Sequence, residues 1–254
     1  MGKLGSTIGL MLFLLILPFE NRAQDITSLL KDAQQLETSF KEPEALQKYL
    51  EVVRAQPTNL TALIKVSELY SVLGKHQGGK DKMKEYYLNA RTYAQKALQV
   101  NPNSSDANVA MAIAMGRMAL ASSGDEKIKA VKDIKTYSEK SVQLDPNNYK
   151  GWHVLGKWHY EVSDLNSVEK WLVKVAYEAL PKASLDEAIK FFEKSRTLNQ
   201  SFLLNYLELA KCYHRKNNNK KAREFLEAMM KMPNKIGEDA SIKTKGKKLL
   251  DEYK

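Results

Sequence analysis

Four short segments of this chain end alike: "VRAQP" at Pro57, "LQVNP" at Pro102, "VQLDP" at Pro146 and "RTLNQ" at Gln200. A fifth, fainter end falls at Met232-Pro233-Asn234. Each closes a run of helical period. The intervals are 45, 44, 54 and 34 residues. Self-similarity at such periods is the most restrictive property a sequence can show, because each unit buries its apolar face only against its neighbours. The chain is therefore predicted to be a stacked array, not a globule built around one sheet.

The last interval, 34 residues, is that of a tetratricopeptide repeat, two antiparallel helices per unit. The residue pattern agrees. Trp152, Leu155, Gly156 and His159 are followed by Ala188 and Phe192; Tyr206, Leu209, Ala210 and Tyr213 are followed by Ala222 and Leu226. Earlier units are fainter, with Leu63, Val66, Ser67 and Tyr70 before Ala90 and Ala94, and Met111, Ala112 and Met115 before Ile134 and Ser138. Positions i, i+3, i+4 and i+7 share one helix stripe, and the small residue lets the partner helix approach. The fold class is all-α: a tetratricopeptide-like helical repeat array, or α-solenoid, with lengthened and inserted helices.

The longer intervals place their extra residues inside units. Tyr70 to Ala90 and Met115 to Ile134 exceed the regular unit by 11 and 10 residues. That is close to three helical turns, so a second helix can start early without changing face. Asp81–Val100 and Asp125–Leu144 are read as such long helices, each opening on an Asp that caps or complements the N-terminus. The third insertion has 20 extra residues and suggests an added helix over 165–180, ended by Pro181. Ser184 and Glu187 form a capping box for the next helix. Asp25 to Phe40 is expected to be the first helix, with Leu29, Ala33 and Leu36 inward. Gly237 to Lys254, with Ile242, Leu249, Leu250 and Tyr253, reads as a polar-faced capping helix.

The N-terminus differs from the rest. Lys3 precedes an uncharged apolar run, Ile8–Leu17, and small Ala23 follows. This has the shape of a signal peptide and is too short to span a membrane. The expected organisation is a signal peptide at 1–24, the repeat domain at 25–235 and the capping helix at 236–254. The mature chain is then secreted or periplasmic; the alternative is a membrane-anchored chain held by the uncleaved apolar segment. The single Cys, Cys212, forms no intramolecular disulfide and reads as a buried, inert thiol. Asn59, Asn103 and Asn199 begin Asn-x-Ser/Thr sites, which matter only where exported proteins are glycosylated.

Catalytic chemistry finds no support. "GWHVLGK" (151–157) comes one residue short of a phosphate loop, but Trp158 stands where Ser or Thr would bind magnesium. "GKHQGGK" (74–80) is followed by Asp81, and neither stretch follows a strand. His153 and His159 are six apart and lie on different helix faces, with no metal-ligand spacing. No nucleophile elbow or paired acid–base constellation is recognisable. The chain reads as a non-enzyme with no catalytic, cofactor or metal residues.

Binding is the better reading. The net charge is +10, or +9 without residues 1–24, and Lys211–Lys254 alone carries 13 Lys/Arg against 6 Asp/Glu. Away from the Trp152–His159 stripe lie Lys150, His153, Lys157, Tyr160 and Glu161. The next unit presents Leu204, Leu207, Lys211, His214 and Arg215. Together these predict a concave groove for a protein partner or acidic peptide, whose carboxylates Arg can hold bidentately. The bland alternative is a solvated helix face. A second class is lipid binding, with an apolar cavity between long helices and a basic C-terminal end facing anionic headgroups. Nucleic acid is disfavoured, since "YHRKNNNKKAR" (213–223) offers one aromatic among its basic residues.

The stretches "YEV" (160–162), "SLDEAIKFFEKSRTLN" (184–199), "YLELAKCY" (206–213) and the Lys-rich end after "MP" resemble the regulator of microtubule dynamics proteins. The match is best from Lys150 to Tyr253; the first half agrees mainly in repeat layout. The resemblance implies a tetratricopeptide-like helical fold and non-enzymatic work at microtubules or membranes, with no catalytic residues to carry over. The export signal departs from the family. An exported protein does not meet microtubules, so the fold is carried over and the microtubule role is not.

Overall fold

The turns between helix pairs explain the recurring segment ends. At Gln56-Pro57-Thr58-Asn59 the amide of Asn59 donates to the Gln56 carbonyl at 3.0 Å. The same i to i+3 bond closes Asn101–Ser104 at 3.2 Å, Asp145–Asn148 at 3.0 Å and Asn199–Phe202 at 3.5 Å. Pro at the second position presets φ for this turn. The side chain of the first residue adds a brace. Asn101, Asp145 and Asn199 each accept through Oδ1 from the amide two residues on, at 2.9–3.0 Å. The fourth residue of the turn then caps the next helix: Asn59 accepts from Ala62, Ser104 from Ala107 and Asn148 from Gly151. Phe202, in the fourth turn, has no such side-chain bond.

A computed structural model describes residues 17–165 and 182–253, and all regular structure among them is helical. The helices are α1 (Leu17–Thr38), α2 (Glu42–Ala55), α3 (Leu60–Leu73), α4 (Lys80–Val100), α5 (Ser105–Ala121), α6 (Gly124–Leu144), α7 (Tyr149–Val162), α8 (Leu185–Leu198), α9 (Leu203–Arg215), α10 (Asn219–Lys231) and α11 (Asp239–Glu252). A 3-10 turn, Gly74–His76, follows α3. Helices pack as successive pairs, α1 with α2 through α9 with α10, and the odd-numbered helices α3, α5, α7 and α9 touch in series. This is the stacked array that the repeat pattern predicts. No helix among the described residues is long and apolar enough to cross a membrane.

α1 is described from Leu17 and runs through the expected first helical residue, Asp25. Residues 1–16, with most of the apolar run, and 166–181, which hold all but the first residue of the added helix expected at 165–180, lie outside the described residues. α4 and α6 are 21 residues each and start within one residue of their expected positions. Asp81 and Asp125 sit in the first turns and complement the helix dipole without capping; the N-caps are Gly79 and Ser123. Ser184 accepts from the Glu187 amide at 3.2 Å, while the Glu187 carboxylate takes Lys190 instead of closing the box.

α5 forms the floor of the array. Its Ala107, Ala110, Ala112, Ala114 and three buried methionines let α3, α4, α6 and α7 close around it. Gly156 does the same for α7: a Cβ there would meet the Phe192 ring at 2.7–2.9 Å. Trp152, expected inward, is half-buried, stacked on Phe191 at 5.6 Å, with Nε1 donating to the Pro146 carbonyl. α11 packs Ile242 and Gly246 on Leu226 and Met229 of α10.

Candidate partner-binding site

α7 and α9 lie side by side, and their facing residues form one charged system. At its centre is Glu208, only 4% exposed. Lys157 Nζ donates to Oε2 and Lys211 Nζ to Oε1, both at 2.9 Å. Burial alone would push the Glu208 carboxyl up, but the two ammonium groups outweigh it and hold it at about 2. Burial opposes the Lys157 charge too, and Glu208 and Glu161 overcome it, so its pKa is raised. The pair is thus favourable in place.

Beside this pair stands Tyr160, half-buried between two cations. Lys157 Nζ lies 5.1 Å and the Arg215 guanidinium 4.6 Å from the ring centre. Both distances suit cation–π attraction. Arg215 Nη1 also donates to the Tyr160 carbonyl at 2.9 Å, which fixes the guanidinium against the end of α7. The outer contacts of these cations are carboxylates near solvent: Glu161, 2.7 Å from Lys157, and Asp164, 2.9 Å from Arg215. Their side chains are 60% and 68% exposed.

A second charged row lies toward the N-terminus. Glu37 of α1 accepts from Lys65 of α3 at 2.7 Å, and Lys65 lies 3.6 Å from Glu68. Glu68 also accepts from Lys150, so α3 and α7 are bridged across α5. Glu68 raises the Lys150 pKa, and Lys150 and Lys65 lower that of Glu68 against the effect of burial.

Of the expected groove residues, the structure brings Lys157, Tyr160, Lys211 and Arg215 together and sets Lys150 one step away. Two expectations are corrected. His153 is buried, not in a groove: its ring lies 4.8 Å from that of Phe202 and 5.3 Å from that of Phe192. Its Nδ1 sits 2.9 Å from Asn205 Oδ1, while Asn205 Nδ2 donates to the Phe192 carbonyl. The amide oxygen therefore accepts from Nδ1–H; burial lowers the ring's pKa to about 4, which keeps it neutral at pH 7. Leu207, likewise expected at the groove, is core. The reason is angular. His153 lies about 60° around the helix from Lys150, on the side that a neighbouring helix of the same row covers. His214 is partly exposed and stacks flat on Tyr253, centroids 3.8 Å apart. Cys212 is buried, with its thiol pushed up to about 12, mainly by burial and then by Glu208.

Sequence reasoning missed Glu208, Glu68 and Tyr253 as members of these charged and aromatic groups. One signal was available for the first. Glu208 stands three residues before Lys211, the spacing of a helical ion pair.

Comparison with known proteins supports the architecture and gives the lineage. A tetratricopeptide-repeat protein of Thermus thermophilus superposes with a TM-score of 0.64, covering 89% of this chain and 98% of its own, at 12% identity. Rat regulator of microtubule dynamics protein 3 is 25% identical over 222 residues, 86% of this chain and 47% of its own. This chain thus spans about half the length of that relative. Caenorhabditis elegans regulator of microtubule dynamics protein 1 is 27% identical over 172 residues, 68% of this chain and 76% of its own. The family profile described as Regulator of microtubule dynamics protein 1-3 matches residues 29–254. On that match the chain belongs to the regulator of microtubule dynamics protein family.

Proposed function

We propose that the chain is a non-enzymatic interaction scaffold that binds a protein partner through acidic side chains at the junction of α7 and α9. One observation carries this: Tyr160 sits between Lys157 and Arg215, whose outer carboxylate contacts, Glu161 and Asp164, are largely in water. Exposed pairs of this kind contribute only about 0–1 kcal/mol. A partner's carboxylates can therefore replace Glu161 and Asp164 at little cost, while Glu208 stays buried and keeps Lys157 in position. Arg215 supplies a planar fork for bidentate contact. An array of packed helices fits this role because it presents side chains from several units on one extended surface.

The test is binding of a panel of synthetic acidic peptides to wild type and to Lys157→Glu with Arg215→Glu, with circular dichroism as the folding control. Loss of binding with an intact fold supports the site; unchanged binding removes it. The names of the relatives make microtubules one partner to try, by co-sedimentation. The N-terminal run supports a chain acting after export, secreted or periplasmic, and N-terminal sequencing of the mature protein tests that. The lipid-binding alternative predicts co-purifying lipid in native mass spectrometry.

A further inference from the structure

The last segment of the chain does more than cap the array. Lys235–Glu238 crosses back to the first units. Glu238 pairs with Lys75, in the 3-10 turn after α3. Gly237 is packed so closely on the Glu42 carboxylate of α2 that a Cβ there would overlap it. Lys235 and Ile236 line a cleft of about 400 Å³ together with Leu30 and Glu37 of α1, Tyr49 of α2 and Lys65 of α3. Glu238 also faces Arg117 of α5, whose buried Nε has no hydrogen-bond partner among the described residues.

At its other end the same segment reaches the site of the proposed function. Arg223 donates to the Leu250 carbonyl at 2.6 Å. Tyr253 is 6% exposed, lies flat on His214 with an interplanar angle of 5°, and is within electrostatic reach of Tyr160 and Glu208. The residues just before it are Asp251 and Glu252, both exposed. Glu252 lies 3.8 Å from Lys248 of its own helix, so it is Tyr253 that reaches the site, seated on His214 next to Arg215 in sequence.

We propose that Lys235–Tyr253 is an autoinhibitory strap, and that its Tyr253 ring holds the place on His214 that the aromatic side chain of an acidic partner segment takes when the strap lifts. The competition rests on the proposed function; the closure of the strap does not. Two latches hold it, the Lys75–Glu238 pair and the His214–Tyr253 stack. Between the latches, Ile242 and Gly246 keep α11 on α10, so losing one latch loosens the strap without unfolding the array.

The test uses the full chain in two measurements. Hydrogen exchange is followed in wild type, in Lys75→Glu, and in Lys75→Glu combined with Glu238→Lys. Residues 239–253 should exchange about tenfold faster in the single variant and return to the wild-type rate in the charge swap. A fluorescent peptide of the chain's own residues 249–253, which carries two carboxylates and no Lys, is then titrated onto wild type, Tyr253→Ala and Tyr253→Phe. Tyr253→Ala should bind it about fivefold tighter, the range of a lost aromatic stack, and Tyr253→Phe should match wild type. Unchanged exchange over 239–253 in Lys75→Glu overturns the strap. Faster exchange with equal peptide affinity in Tyr253→Ala and wild type overturns the autoinhibition and leaves the proposed function standing. Strap opening with no peptide binding to any variant overturns both.

Discussion

Replacing Glu208 with Gln tests whether the centre of the α7–α9 site is held by charge. The amide keeps the volume and removes the carboxylate shared by Lys157 and Lys211. Moving a glutamate from an ordinary 4.5 to about 2 corresponds to about 3 kcal/mol in favour of folding at neutral pH. Breaking one partner of a buried pair costs about 3–5 kcal/mol; the low end applies here because both lysines retain partial exposure. The sign follows from the depressed folded pKa: the stabilisation is complete above 4.5 and is lost as pH falls from there to about 2. Urea unfolding of wild type and Glu208→Gln should therefore differ by about 3 kcal/mol at pH 7 and converge near pH 2. A difference below about 1 kcal/mol at pH 7, or an equal difference at pH 7 and about pH 2.5, refutes the reasoning.

Two further outcomes can be checked on the purified chain. Gly156→Val should destabilise by about 1–3 kcal/mol in denaturant unfolding, because its Cβ must displace the fully buried Phe192 ring. His153 stays neutral in the fold down to about pH 4 while the unfolded chain takes up a proton near 6.5, so stability should fall over that window by about 3 kcal/mol. His153→Gln, which keeps a polar end for Asn205, should flatten the curve between pH 6.5 and 4 and leave the lower window of Glu208 in place.

Much of the fold was legible because the turns repeat their chemistry. Asn101-Pro102 and Asp145-Pro146 announce a braced turn in the sequence, and the structure builds the same turn at each. The early starts of α4 and α6 were legible because whole helical turns leave the buried face unchanged. The site was legible only in its cations. Lys157, Lys211 and Arg215 stand out by charge, and the pairs Lys157–Glu161 and Glu208–Lys211 have helical spacing, but the contact of Lys157 with Glu208 joins two units. Glu68 meets Lys150 from 82 residues away, and no local spacing encodes that. His153 failed for a related reason. A two-faced view of a helix has no place for the third side that the next unit covers. Tyr253 was read as cap packing, since nothing in a charged final helix says how far round the array it reaches.

The bridge from Lys150 over α5 to Glu68 also bears on how such a chain can change length over generations. Arrays whose units touch only their neighbours gain or lose a unit without penalty elsewhere, and unit number drifts. Here α3 and α7 clasp each other with one unit between them, and Glu238 reaches back to Lys75 across 163 residues. A duplicated unit inserted after α4 would pull both pairs apart and leave their charges unmatched inside the array. Local lengthening of a helix, as in α4 and α6, disturbs neither contact. Growth within units was therefore open to this architecture, and growth by adding units was closed.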